Sequence, residues 1–187
     1  SGAVAPDGQT KPLPSTVDGK LDAAEELKKA GNERFAAKKL VAATRKYQTA
    51  LLYLRSVVVD NKAEEVQLLQ GRAEPLTEAQ KGRERSLRVA CLSNLATCFA
   101  LRGKFNESLH SANEALEIDA SHVKALYRKA AAEFELGMLD GADDTLSLLL
   151  SHHPSNGPAT KLQVQVKKQL SERRKKQRRA FGKLFSS

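Results

Sequence analysis

An all-α fold is what this sequence predicts, on three observations. From Leu21 onward apolar or small residues recur at helical spacing, and strand-like alternation is missing. No proline interrupts the chain from Ser15 to Glu74. The chain also resembles itself: aligning Gly31, Ala96 and Ala130 aligns Phe35, Ala100 and Phe134, then Ala43, Ser108 and Ala142, then Ala50, Ala115 and Leu149. Small residues fall where two helices of a hairpin cross closely and aromatics fall between them, so the unit is a helix-turn-helix repeat of 34 residues.

In chain order, residues 1–20 are rich in Gly, Pro, Ser and Thr and read as a linker or disordered lead-in. The repeat domain occupies 21–160, with repeats at about 24–57, 89–122 and 123–156. Gly103 and Gly137 mark the turns of the second and third repeats and Lys38 holds the equivalent place in the first. Arg55 stands where a terminating proline would sit, so the second helix is free to run on past Val57. The insertion 58–88 reads as continued helix through AEEVQLLQ, a break at Gly71 and Pro75, and a new helix opened by the capping-box pair Thr77 and Gln80. Residues 161–187 form a basic C-terminal helix, in which Leu162, Val166 and Leu170 make a stripe suited to packing on the third repeat.

With 187 residues, 41% hydrophobic and 28% charged, the chain has the make-up of one globular domain plus tails. No apolar run reaches the eighteen or so residues a membrane helix needs. The net charge of +9 is local: residues 161–187 hold ten cations against Glu172, while the other 160 residues hold 21 of each sign. The folded body is therefore not read as a basic nucleic-acid binder, and no specific nucleic acid is expected as partner. Cys91 and Cys98, seven apart in one expected helix, lie about 10 Å apart along its axis, beyond the ~7 Å reach of a disulfide. They read as buried small apolar residues of a reducing, cytoplasmic protein. The histidines His110, His122, His152 and His153 show no ligand spacing, so neither metal nor cofactor is assigned.

The segments LKKAGNERF, SNLATCFALRGKFNESLHSANEALEID and KALYRKAAAEFELGMLDGADDTLSLLLSHHP resemble tetratricopeptide repeats. That resemblance implies three repeats in a right-handed superhelix closed by a long C-terminal capping helix. The insertion and the terminal RRAFGKLF are similar to the large immunophilins, the FKBP-type and cyclophilin-type prolyl isomerases, and to aryl-hydrocarbon-receptor-interacting proteins. It follows from the resemblance that any isomerase domain lies upstream. This chain alone is expected to be no enzyme, for it holds no phosphate loop, nucleophile elbow or evident acid pair.

In such a stack the first helix of each repeat lines one trough. Lys28 and Asn32 are four apart, Lys124 and Arg128 are four apart, and Asn94 lies in the equivalent helix of the middle repeat. Three cations and two amides with no acid among them suit an anion, such as a peptide's terminal carboxylate beside an acidic side chain. The five also match the dicarboxylate clamp of tetratricopeptide co-chaperones. The resemblance implies that Lys28, Asn32 and Asn94 hold the terminal carboxylate, and that Lys124 and Arg128 serve the aspartate side chain and the peptide backbone. The implied ligand is the Glu-Glu-Val-Asp tail of heat shock protein 90, with heat shock protein 70 as the related partner. The alternative is an adaptor for a different acidic or targeting peptide. The basic C-terminal helix reads as a calmodulin target, a membrane-surface segment, a nucleic-acid arm or a solvated extension, and the family resemblance favours calmodulin.

Overall fold

The computed structural model describes residues 14–68 and 76–184. Among these there are seven helices and no strand: α1 (Val17–Ala36), α2 (Leu40–Leu68), α3 (Glu78–Ala100), α4 (Phe105–Ile118), α5 (Val123–Glu135), α6 (Leu139–His152) and α7 (Gly157–Leu184). The chain divides into two compact units, residues 1–91 and 92–187, so the boundary falls inside α3.

In the first unit α1 and α2 form a helical hairpin. The helix begins at Val17, not after residue 20, which shortens the expected lead-in. Thr16 is the reason: its Oγ1 accepts from the Gly19 N–H at 3.1 Å and satisfies an amide that the first turn leaves open. At the hairpin crossing Gly31 faces the Tyr47 ring, and a Cβ there would lie 2.5 Å from Tyr47 Cε1. Leu21, Ala24, Ala43, Ala50, Leu54 and Val57, on the same two helices, are all nearly fully buried. α2 continues unbroken to Leu68, as the missing proline predicts. Gly71 and Pro75, read as the break, lie outside the described residues. The capping box is formed: Thr77 N–H donates to Gln80 Oε1 at 3.0 Å, and Gln80 N–H donates to Thr77 Oγ1 at 3.2 Å. Arg83 then ties α3 to α1, donating to Asp22 at 2.8 Å and to Glu25 at 2.7 Å. That hydrogen bond, with Lys29 nearby, lowers the Glu25 pKa.

In the second unit the end of α3 meets α4 where Ser108 Oγ donates to the Ala96 carbonyl at 2.9 Å. Leu126, Ala130, Leu139, Ala142, Leu146 and Leu149 form a core with α7, which contributes Ala159, Val166 and Leu170. Leu162 packs at its edge, so the expected apolar stripe is the one buried. α7 starts at Gly157, four residues ahead of the expected boundary at 161, because Asn156 Oδ1 caps it by accepting from the Ala159 N–H at 3.1 Å.

The three hairpin turns share one geometry. Lys38, Gly103 and Gly137 have φ of 57°, 70° and 74°. The residue after each donates its N–H five residues back: Lys39 to Arg34 at 2.9 Å, Lys104 to Phe99 at 2.9 Å and Met138 to Glu133 at 2.8 Å. Lysine adopts a left-handed backbone at a cost glycine avoids. Lys38→Gly is therefore expected to stabilise the chain by about 1 kcal/mol, read as a higher denaturant midpoint.

Glu133 is the one acid among the buried described residues. Thr145 Oγ1 donates to its Oε2 at 2.9 Å. Burial raises its pKa, so the fold favours the protonated form and that stability is lost as pH rises through the raised value. Glu133→Gln is expected to raise the melting temperature at neutral pH and to flatten its dependence on mild acid.

Candidate functional site

In the first unit Lys28 and Asn32 lie one turn apart on α1. The buried Tyr47 reaches across from α2 and its hydroxyl donates to Asn32 Oδ1 at 2.8 Å. Gly31, Tyr47 and Asn32 thus form a chain of dependence: the absent side chain admits the ring, and the ring's hydroxyl orients the amide. With Oδ1 taken as acceptor, the amide NH2 is the side that can donate to an anion. Lys28 bears electrostatically on Glu25 and on Cys91, lowering the pKa of each, but burial dominates at Cys91 and pushes the thiol up to about 11. Such a thiol is protonated at neutral pH and is a poor nucleophile.

In the second unit the structure brings Asn94, Lys124 and Arg128 together. Lys124 Nζ donates to Asn94 Oδ1 at 2.5 Å, and Arg128 Nε donates to Thr97 Oγ1 at 3.1 Å. Thr97 is buried and passes its own proton to the Ser93 carbonyl at 3.0 Å, which leaves its lone pairs for the guanidinium. The Arg128 guanidinium carbon lies 5.5 Å from the Tyr127 ring centroid, within cation–π range. Both cations are held by neutral acceptors, and neither pairs with a described carboxylate. Elsewhere several of the body's cations do: Arg88 with Glu84, Lys104 with Glu107, Lys129 with Glu133. Burial and then the Arg128 charge lower the Lys124 pKa, and burial lowers that of Arg128. Positive charge is thus concentrated without an internal counter-ion, an arrangement that an external anion relieves. Beside Lys124 a depression of about 660 Å³ is lined among others by Asp119, His122, Val123, Tyr127, His153 and Pro158.

Tyr47 and Thr97 hold the candidate residues Asn32 and Arg128, contacts that the sequence reading missed. Thr97 had a signal, since it lies three residues after Asn94 on the same helix face. Tyr47 had a weaker one, a bulky ring in the helix opposite an intrahelical glycine. If Tyr47 orients Asn32, Tyr47→Phe keeps the packing and loses one hydrogen bond of about 0.5–1.5 kcal/mol. The melting temperature is then expected to fall by a few degrees, and acidic-peptide affinity, read by calorimetry, to fall because the Asn32 amide is no longer held.

No protein-family profile matches the chain. Among solved structures, the C-terminal TPR-containing domain of a Plasmodium falciparum FK506-binding protein superposes with a TM-score of 0.73 at 26% identity, covering 86% of this chain and 96% of that one. The chain has the tetratricopeptide-repeat fold. The first tetratricopeptide domain of Spaghetti (RPAP3), bound to the HSP90 peptide SRMEEVD, matches at TM-score 0.60 and 22% identity, over 80% of this chain and 94% of that one. Among curated relatives, FK506-binding protein 59 of Drosophila melanogaster is 26% identical over 60% of this chain and 26% of its own length. The Hsp70/Hsp90 co-chaperone cns1 of Schizosaccharomyces pombe is 26% identical over 83% of this chain and 36% of its own length. The relatives of this tetratricopeptide chain thus include FKBP-type immunophilins and a co-chaperone, and it spans about a quarter to a third of the length of these. The tetratricopeptide hairpin stack is a protein-interaction fold. No described helix is long and apolar enough to cross a membrane.

Proposed function

We propose that this chain is the chaperone-docking module of a cytoplasmic immunophilin, and that it takes the acidic C-terminal tail of heat shock protein 90, with heat shock protein 70 as second client. Lys28, Asn32 and Asn94 hold the terminal carboxylate, while Lys124 and Arg128 serve the last aspartate and the peptide backbone. Tyr47 and Thr97 orient the clamp residues, and the depression beside Lys124 receives residues upstream of the tail. The observation that carries this reading is the pair Lys124 and Arg128, partly buried, adjacent and held by neutral oxygens alone. The relation to an Hsp70/Hsp90 co-chaperone supports the same class of ligand.

The second reading keeps the fold and gives the same residues another acidic or targeting peptide. A pull-down separates the two. Heat shock protein 90 is expected to be retained by the chain and lost when its last five residues are removed; retention of both forms alike would rule out tail docking. Calmodulin as partner of the C-terminal helix rests on resemblance alone, and the surface of that helix favours a different ligand.

A further inference from the structure

Leu170 is the last buried residue of α7 among those whose burial is described. Residues 171–181 are all exposed, and the helix runs on to Leu184. Six of the seven residues from 173 to 179 are cations: Arg173, Arg174, Lys175, Lys176, Arg178 and Arg179. Of these six, only Arg173 has a carboxylate partner among the described residues, Asp140 at 3.4 Å. Like charges therefore face each other one turn apart at Arg174 and Arg178 and at Lys175 and Arg179, an arrangement that opposes the helix. The rest of the chain offers no excess of acid to relieve it, since residues 1–160 are balanced in charge.

The distribution of these charges selects the partner. At 3.6 residues per turn the six cations leave one arc of about 100° between Arg173 and Arg174, which within residues 171–179 holds only the polar Gln177, and no other arc wider than about 60°. A membrane-surface helix or a calmodulin target needs a broad apolar face opposite its charges. Between Ser171 and Arg179 there is no apolar residue; beyond them Phe181 is exposed, and the side chains of Leu184 and Phe185 lie outside what the structure describes. A partner must instead supply negative charge on several sides of a rod at high density. Seven helical residues rise about 10 Å, which is one cation per ~1.7 Å, and double-stranded DNA carries one phosphate charge per ~1.7 Å of axis. The groove of a duplex also encloses a helix on three sides.

We infer that the exposed end of α7 binds the phosphate backbone of duplex nucleic acid, independently of base sequence, as an activity separate from peptide docking. No side chain there is placed to read bases, so the binding is salt-dependent and unspecific. The test is fluorescence anisotropy of the whole chain with a labelled 20-base-pair DNA duplex of mixed sequence between 50 and 200 mM salt. Micromolar binding is expected, with log K falling against log salt at a slope of about −4 to −5 for roughly five phosphates. Changing Arg174, Lys175, Arg178 and Arg179 together to Gln is expected to weaken binding at least tenfold and to flatten the slope, with helix content by circular dichroism preserved. Absence of duplex binding at 50 mM salt would overturn the inference, as would equal affinity in the folded Gln variant. Capture of the helix only by phosphatidylserine vesicles, or only by calcium-loaded calmodulin, would overturn it too.

Discussion

Lys124→Ala is expected to weaken binding of an acidic C-terminal peptide tenfold or more, and Arg128→Ala to do the same, with the fold intact in both. Each cation meets the proposed ligand through a charge-assisted hydrogen bond, and one such bond contributes about 1.5–3 kcal/mol; a tenfold change is about 1.4 kcal/mol. The free protein loses little by the change, because the partners left behind, the Asn94 amide and the Thr97 hydroxyl, are neutral and can turn to other donors. Removing one of two adjacent cations even relieves repulsion, since each partly buried charge is disfavoured where it stands. Calorimetric titration beside a thermal melt separates binding from stability. The pH dependence has a definite sign. Binding an anion requires the charged form of Lys124, whose pKa is lowered by burial and by Arg128, so affinity is expected to decay with rising pH before the ordinary lysine range near ~10.4 is reached. In Lys124→Ala that decay is expected to be missing.

Gly31→Ala is the second large effect, and it acts on stability and site together. The new methyl would meet three atoms of the Tyr47 ring at 2.5, 2.8 and 3.0 Å, and the ring is itself 1% exposed with no room to retreat. Overpacking of this kind costs about 1–3 kcal/mol, more than the gain of up to about 1 kcal/mol from placing alanine for glycine in a helix. A lower denaturant midpoint is expected. Because the displaced ring carries the hydroxyl that orients Asn32, peptide affinity is expected to fall as well, whereas an equal loss of core packing at Leu146→Ala, in the second unit, leaves that hydroxyl in place. Unchanged stability in Gly31→Ala would mean that the crossing is looser than its geometry implies.

The repeat register was legible because it rests on local sterics. The alignment of Gly31 with Ala96 and Ala130 marks helix crossings, and the alignment of Lys38 with Gly103 and Gly137 holds in backbone detail down to a positive φ in all three. The capping box at Thr77 and Gln80 was legible for the same reason, as both partners lie within one turn. The start of α1 was missed because Thr16 sits in a stretch whose Pro and Gly content outweighs a single capping hydroxyl. The contacts of Arg83 with Asp22 and Glu25 join residues about sixty apart, and no local pattern announces such a pair. Among the candidate ligand-binding residues, spacing revealed which side chains share a helix face. What holds each of them, Tyr47 for Asn32 and Thr97 for Arg128, depends on which helix lies across the way. The junction of Asn94 with Lys124 is likewise a property of the packed second unit rather than of either helix alone.

The central claim is that this chain grips a free carboxyl terminus. It is tested most directly by titrating one acidic pentapeptide, Glu-Glu-Val-Asp preceded by a methionine, in two forms that differ only in a free or an amidated end. The free acid is expected to bind near micromolar, about −8 kcal/mol, and the amide at least tenfold more weakly. Equal affinity for the two, or no binding of the free acid, would contradict the account.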